Sequence, residues 1–362
     1  MRILFYISTI KAGGAARVMT NLANQLADDP IEKNEIYLLT NFSGENEYEL
    51  SNKVIRYTID LYETDENRIK KNIRRCRIIR RWVKQIIPDI VVSFMSENDA
   101  RNYFATRGLC VHTVMSVRND PAILFRGILK NKLFKYIYSH ADGVVFQTED
   151  ARKWFGSSFR TYNRIIMNQT AKKFYEEERN SYPQGIVTLG SFLPKKNHML
   201  LIRAFSKVAD EVFDDLWIYG NGKLKEDYIS LIVELNLQQR VHLCDFSKEP
   251  HKILANAKLF VLSSDHEGMP NVLLEALACG VPTISTDCPC GGPRMIIKNR
   301  ENGILVPISD VDALAEAMRE VLLDENLQKS MSLNARKDAA QFKPDIVYHE
   351  WLDFLKKLLE EN

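Results

Sequence analysis

The sequence predicts an α/β protein of two doubly wound, Rossmann-like domains that face each other across a cleft. Three observations predict it. Short apolar runs alternate with helix-length amphipathic segments through both halves of the 362 residues, the pattern of parallel strands joined by crossover helices. Polar or glycine-bearing loops follow the strands, where open α/β sheets bind ligands. The text turns polar and charged over 165–185, through Glu176-Glu177-Glu178-Arg179-Asn180 and Pro183, which reads as a linker. The expected domains are 1–168 and 169–344.

Composition narrows the class. The chain is 45% hydrophobic and 27% charged, the balance of a globular protein in water. No apolar run reaches the about 18 residues of a membrane-spanning helix. Residues 1–7 read as a first strand and lack the pattern of a cleaved signal peptide. Six cysteines, at 76, 110, 244, 279, 288 and 290, include no C-x-x-C pair. Reduced thiols in the cytosol are therefore expected, without a disulfide frame or zinc site. The net charge of +2 is split unevenly. Residues 1–170 hold 26 Lys and Arg against 18 Asp and Glu, and residues 171–362 hold 23 against 29. A basic half suggests that the first domain meets an anionic surface or substrate.

In chain order, residues 2–7 form an apolar strand. The loop 8–17 turns into a helix that runs to about 26. Gly13 and Gly14 at its start allow close backbone approach to a ligand, and a helix start favours anions; Arg17 is a candidate phosphate contact. The pair is not G-x-G-x-x-G, which speaks against a nicotinamide site. Residues 35–39 and 53–57 are the next strands. The helix over 68–87 carries Arg68, Lys70, Lys71, Arg74, Arg75, Arg77, Arg80, Arg81 and Lys84 with no acid. Its apolar positions, Ile69, Ile73, Cys76, Val83, Ile86 and Ile87 with Ile79 and Trp82 nearby, fit helical spacing. Cations beside one apolar stripe read as a basic outer face or as a helix at an anionic membrane surface. A solvated charged face and a nucleic-acid patch are the alternatives. Strands follow at 90–95, 111–117 and 143–147; the second ends in Ser116-Val117-Arg118-Asn119-Asp120-Pro121.

The second half restarts with a strand at 185–190, the segment Ser191-Phe192-Leu193-Pro194-Lys195-Lys196-Asn197-His198, and a helix over 199–209. Residues 216–222 are strand plus glycine turn, with a helix to about 235, and 241–246 are strand plus loop. Leu259 to Leu262 is a continuous apolar run suited to a strand buried on both faces. A polar turn leads to Pro270 at the expected first helical position. Val272, Leu273, Leu274, Ala276 and Leu277 carry that helix until Gly280 and Pro282 stop it. Amides of Gly268, Met269, Pro270's neighbour Asn271 and Val272, with the positive helix end, make an anion seat. Glu267 and Glu275 bracket it. Eight positions at a helical rise span roughly 12 Å, wider than two carboxylates that share one glycosidic bond. The spacing suits one elongated ligand with an anionic middle, the shape of a nucleotide-diphosphate sugar. An ordinary surface turn with two solvated acids is the alternative on spacing alone. Residues 283–286 form a strand, 288–294 a glycine-proline loop, and 310–323 an amphipathic helix.

His266-Glu267-Gly268-Met269-Pro270-Asn271-Val272-Leu273-Leu274-Glu275-Ala276 resembles the E-x7-E signature of the retaining GT-B glycosyltransferases of family 4. Gly13-Gly14-Ala15-Ala16-Arg17 is similar to that family's G-G-A-E-R segment, with Ala16 where Glu is usual. Residues 190–197 resemble its G-R-L-x-x-x-K segment, with Ser191 in the Arg position and Lys196 on the Lys. Met295 stands where an acid is frequent. The resemblance covers nearly the whole chain. It implies the GT-B fold, with the helix over 345–362 packing back across the first domain through Trp351, Phe354, Leu355 and Leu358. It implies a sugar nucleotide, a UDP-sugar, held by the second domain with no metal and no other cofactor. Glu267 would contact the donor sugar, Glu275 the ribose, and Lys196, assisted by Lys195 or Arg17, the diphosphate; Phe246 would cover the base. Arg118 and Asn119 would meet the acceptor, expected to be a lipid-linked or other saccharide at the inner membrane face. The cations Arg74, Arg75, Arg77 and Arg81 would meet anionic lipid. The partners expected are thus a donor, an acceptor and a membrane surface, and no nucleic acid. A silent sugar-nucleotide binding or scaffold protein, supported by Ser191, Ala16 and Met295, and a UDP-sugar epimerase on the same fold are the other readings.

Overall fold

The computed structural model describes residues 1–11, 13–59 and 67–360. The chain divides into two compact units, Met1–Asn168 with Val347–Asn362, and Gln169–Ile346. In the first unit the elements run β1 (Arg2–Ile7), α1 (Gly14–Asp28), β2 (Glu35–Thr40), β3 (Ile55–Thr58), α2 (Arg68–Ile86), β4 (Ile90–Phe94), α3 (Ser96–Thr106), β5 (His112–Val117), α4 (Pro121–Leu124), α5 (Ile128–Ser139), β6 (Gly143–Phe146), α6 (Glu149–Trp154) and β7 (Tyr162–Ile165). The seven strands are parallel in the order β3-β2-β1-β4-β5-β6-β7, with Ile3 beside Ile36 and Ile90.

Alternation along the strands sorts side chains to two faces. Ile3, Phe5, Ile90 and Val92 face α1 and the last helix, while Leu4, Tyr6 and Val91 face α2 and α3. Both faces are covered, which is why these strands are near-continuous apolar text.

The second unit contains α7 (Lys173–Glu176), β8 (Ile186–Leu189), α8 (His198–Ser206), β9 (Leu216–Tyr219), α9 (Lys225–Glu234), β10 (Val241–Cys244), α10 (Pro250–Asn256), β11 (Leu259–Leu262), α11 (Asn271–Ala278), β12 (Thr283–Thr286), α12 (Gly292–Ile296), β13 (Ile304–Val306), α13 (Val311–Leu323) and α14 (Glu325–Ala339). Its six parallel strands run β10-β9-β8-β11-β12-β13. Residues of α8, α9 and α13 form one core with Ile186, Ile218, Val261 and Ile284. The chain ends in α15 (Pro344–Glu360), whose Trp351, Phe354, Leu355 and Leu358 are buried in the first unit's core. Trp351 lies 5.7 Å from Phe94, and Phe354 stacks at 4.9 Å on Tyr162.

Three local expectations change. The stripe of α2 is not the one its apolar letters trace. Ile79, Val83 and Ile86 are buried together with Arg75, whereas Ile69, Ile73 and Ile87 are exposed. Only the second half of α2 packs on Leu4, Tyr6, Leu39 and Val91, so its first turns keep their aliphatic side chains in solvent. Pro270 is the residue before α11 and not its first helical residue. The stretch 165–185 is not a plain linker. It includes the end of β7 and all of α7, and Asn168, Gln169 and Thr170 are buried.

Candidate active site

Strand order reverses between β8 and β11, neighbours at the centre of the second sheet. Loops leaving two such strands diverge, and the crevice they open is where doubly wound sheets bind ligands. The loop after β8 makes a short 3-10 turn, Pro194–Lys196, closed by Asn197 in the left-handed region (φ 44). Asparagine tolerates that conformation because its short side chain bonds locally. Here the Asn197 side-chain oxygen Oδ1 caps α8 by accepting from the Leu200 amide at 3.2 Å.

This loop is laced to the one after β11. Asn197 Nδ2 donates to Asp265 Oδ1 at 2.8 Å, the Asp265 amide to the Lys195 carbonyl at 2.9 Å, and Ser263 Oγ to the Lys196 carbonyl at 3.1 Å. The lacing brings Lys196 Nζ onto Glu267 Oε1 at 2.5 Å, and Ser264 Oγ donates to the same oxygen at 2.9 Å. Both charged side chains are mostly buried, at 14% and 10% exposure. Behind them, Thr286 Oγ1 and Cys288 Sγ both donate to the Ser264 carbonyl, fixing the turn that aims Glu267. Burial pushes the Cys288 thiol up to about 12, so it stays protonated there. Under Lys196 lies His198, buried against Phe192 and Tyr228. Burial, aided by the Lys196 charge, pushes its imidazole down to about 4.

Two glycines set the shape of these loops. A Cβ on Gly292 would sit 1.7 Å from the Gly268 carbonyl oxygen, and one on Gly220 would sit 1.9 Å from the Gly190 carbonyl oxygen. Backbone thus approaches backbone at distances no side chain permits. The α11 start at Asn271 has no side-chain cap and no acid in its first turn. Gly268, Met269 and Pro270 are buried there, and Val272 is partly so.

Of the residues expected at the site, the structure gathers Lys196, Glu267, Gly268, Met269, Pro270, Asn271 and Val272 around the two central strands. Glu275 lies one turn into α11, buried at 5% exposure. Lys195 is exposed, and its carbonyl serves the loop lacing. Phe246 is 78% exposed on the loop after β10, the edge strand. Two strand spacings separate β10 from β8, about 10 Å, so Phe246 is not brought to the Lys196–Glu267 pair. Sequence reasoning missed Ser264, Asp265 and Asn197 as supports of the pair. Their signal was position alone, polar residues directly after buried strands.

In the first unit, Gly13 precedes α1 with φ 144 and Gly14 opens it. Arg17 lies in the first turn, partly buried, and Ala16 is in the core. Arg118, expected to meet the acceptor, is packed into the first unit. It is buried at 7%, stacks 3.8 Å above Phe94 and donates to Asn168 Oδ1 at 2.7 Å. Burial pushes its guanidinium down to about 9. It belongs to a polar core with Asp99, which accepts from Ser93 and Tyr138. Asn119, the next residue, is partly exposed. Arg74, Arg77 and Arg81 stand on the outside of α2. Arg75 is the exception: it turns inward over Phe42 at 5.2 Å, and burial lowers its pKa, so it is not a surface cation. Among the described residues, no three His, Cys, Asp or Glu side chains form a metal-binding group.

Two family models match consecutive parts of the chain: Glycosyltransferase Family 4 over residues 12–167 and Glycosyl transferases group 1 over residues 169–338. A relative from Campylobacter jejuni is 26% identical, over 97% of this chain and 98% of its own length. Its name is N-acetylgalactosamine-N,N'-diacetylbacillosaminyl-diphospho-undecaprenol 4-alpha-N-acetylgalactosaminyltransferase. Among solved structures, sucrose-phosphate synthase from Thermosynechococcus elongatus superposes with a TM-score of 0.85 at 17% identity, all of both chains being covered. Anabaena HepE in complex with UDP-glucose gives 0.81 at 16% identity, over 99% of this chain and 100% of that one.

Proposed function

Because the chain belongs to the glycosyltransferases of family 4, with the GT-B fold, we propose that it transfers a hexose or N-acetylhexosamine from a UDP-sugar to a lipid-linked saccharide. The transfer retains anomeric configuration and needs no metal. The Lys196–Glu267 pair at the strand-order switch, beside the uncapped start of α11, carries this reading.

The donor's diphosphate lies against the backbone of residues 268–272 and takes Lys196 from Glu267 as its counter-ion. Glu267, relieved of its partner but still bonded to Ser264, accepts from a sugar hydroxyl and faces the positive charge that grows at the anomeric carbon. The C1–O bond to the diphosphate breaks as the acceptor hydroxyl oxygen bonds C1 on the same face. The acceptor proton passes to the departing phosphate oxygen, so charge balances without an external base. Fixed dipoles and one lysine then do what a divalent cation does elsewhere. Glu275 holds the ribose. The first unit receives the acceptor; the diphospho-undecaprenol in the Campylobacter relative's name supports a lipid-linked one, and HepE's complex supports UDP as carrier.

A screen of UDP- and GDP-sugars for protection against thermal unfolding tests the donor. UDP and one UDP-sugar raise the midpoint of the second unit. Protection by GDP-sugars alone overturns the choice of nucleotide.

A further inference from the structure

The two faces of the second sheet are not covered alike. Side chains alternate along β9. Leu216 and Ile218 join the core under α8, α9 and α13, while Trp217 and Tyr219 take the opposite face. There the crossover helix α10 is only seven residues long. It packs on β8 and leaves the face of β9 partly open, so Trp217 and Tyr219 are half-buried. The cleft that results has a volume of about 790 Å³, within the about 300–1,000 Å³ of small-molecule sites. Val187, Trp217 and Tyr219 of the sheet line it, with Ile253 of α10 and the fully exposed Phe213. Gly185, Asp215 and Lys258, also in its lining, stand just before β8, β9 and β11. The cleft therefore opens at the amino edge of the sheet, whereas Lys196 and Glu267 lie past the carboxyl ends. A strand of four residues separates those edges by about 13 Å.

The indole is fixed before any ligand arrives. His242 stacks on Trp217 at 4.1 Å and is itself held by Asp215 Oδ2 at 2.9 Å. Gly185 leaves the ring its room, since a Cβ there would lie 3.1 Å from Trp217 Cδ1. A side chain already ordered loses little freedom on binding. The charges nearby cancel. Lys258 Nζ donates to Asp214 at 2.8 Å, Arg240 Nε to Asp215 at 2.7 Å, and Lys252 pairs with Glu249 at 2.6 Å. The Tyr219 hydroxyl, the Trp217 indole N–H and the Gln184 side-chain amide line the cleft and make no hydrogen bond among the described residues. A fixed aromatic platform with uncharged donors and acceptors beside it matches the C–H face and hydroxyl edge of a neutral sugar. A nucleotide would call for an unpaired cation. A protein segment would call for an apolar surface that the Lys258–Asp214 pair interrupts.

We propose that this cleft is a second carbohydrate site, which binds a neutral oligosaccharide at Trp217 independently of the donor seat. Its use rests on the transferase reading: a site for sugars away from the reaction keeps the enzyme on the glycan it extends.

Calorimetric and ligand-observed NMR titration of the full chain tests this, with and without saturating UDP. The probes are maltotetraose, chitotetraose and, as an anionic control, tetragalacturonate. At least one neutral tetrasaccharide binds saturably, equally well with UDP present, and the control does not. Trp217→Ala weakens that binding at least about tenfold. Phe213→Ser also weakens it, from a fully exposed position outside the core. Both variants keep UDP protection against unfolding. Binding of neither neutral tetrasaccharide, preference for the control, competition by UDP, or undiminished binding in both variants overturns the proposal. Absence of sugar binding with UDP protection intact sinks this proposal alone. Sugar binding that depends on Trp217, without any nucleotide protection, sinks the transferase reading and leaves the cleft standing.

Discussion

Lys196 and Glu267 satisfy each other in a mostly buried pocket, and each would be expensive to leave alone there. In the proposed reaction the pair keeps both charges ready until the donor's diphosphate competes for the lysine. His198, two residues on, is buried and stays neutral, first because burial opposes its charge and then because the Lys196 charge repels it. Its folded pKa, about 4, lies below the ordinary imidazole value of 6.5. Between those two values the unfolded chain binds the proton and the folded chain does not. Stability that is fully present above pH 6.5 is thus lost as pH falls toward 4, by up to about 1.4 kcal/mol per pH unit. Urea midpoints measured from pH 4 to 7 should show this slope, and His198→Phe should flatten it. An unchanged slope would assign the acid sensitivity to other groups. The departures from the family pattern are also residue-scale facts. Ala16 is packed in the core, so a glutamate there would need a different seat.

At the scale of elements, the loops after β8 and β11 are held by side-chain hydrogen bonds and by close backbone approach. Gly292 shows how tightly. A Cβ there meets the Gly268 carbonyl oxygen, and neither backbone can yield without moving the start of α11. Gly292→Ala is expected to cost about 1–3 kcal/mol, as overpacking does, and to abolish UDP protection in the fraction that folds. Ala at Gly108, where a Cβ meets nothing within 4 Å, bears the strain of a positive φ without the clash. It should lower the melting midpoint yet leave UDP protection intact. Equal nucleotide protection of both variants would show that the 268 backbone is not part of the seat.

For the whole molecule, the last helix completes the first unit although the second lies between them in sequence. Trp351 is fully buried beside Phe94 and under Arg118. Trp351→Ala should cost about 3–5 kcal/mol, lowering the first unit's unfolding transition and leaving the UDP-sensitive one in place. A single transition that moves as one would mean that the units unfold together.

The strand–helix alternation was legible because strands such as 259–262 and 90–94 are buried on both faces and write that burial as unbroken apolar text. The turn from β11 into α11 was legible because a buried strand, a polar turn, a proline and an apolar helix follow within twenty residues. What escaped were elements whose cores are polar. Helix α3 buries Asn98, Asp99, Arg101, Asn102 and Thr106, and apolar periodicity cannot reveal a helix packed through hydrogen bonds. Strand β7, Tyr-Asn-Arg-Ile, is a half-buried edge with no apolar run. Arg75 read as a surface cation because its letter is charged; only the packing over Phe42 turns it inward.

Turnover of the donor found in the screen, measured in EDTA for the unaltered protein and for Lys196→Met, tests the electrostatic core of this account. Full activity in EDTA, with a loss of about 10²–10³ in kcat for the methionine variant, is the expected result. Activity that disappears in EDTA and returns with magnesium, or a methionine variant that works as well as the lysine, would contradict it.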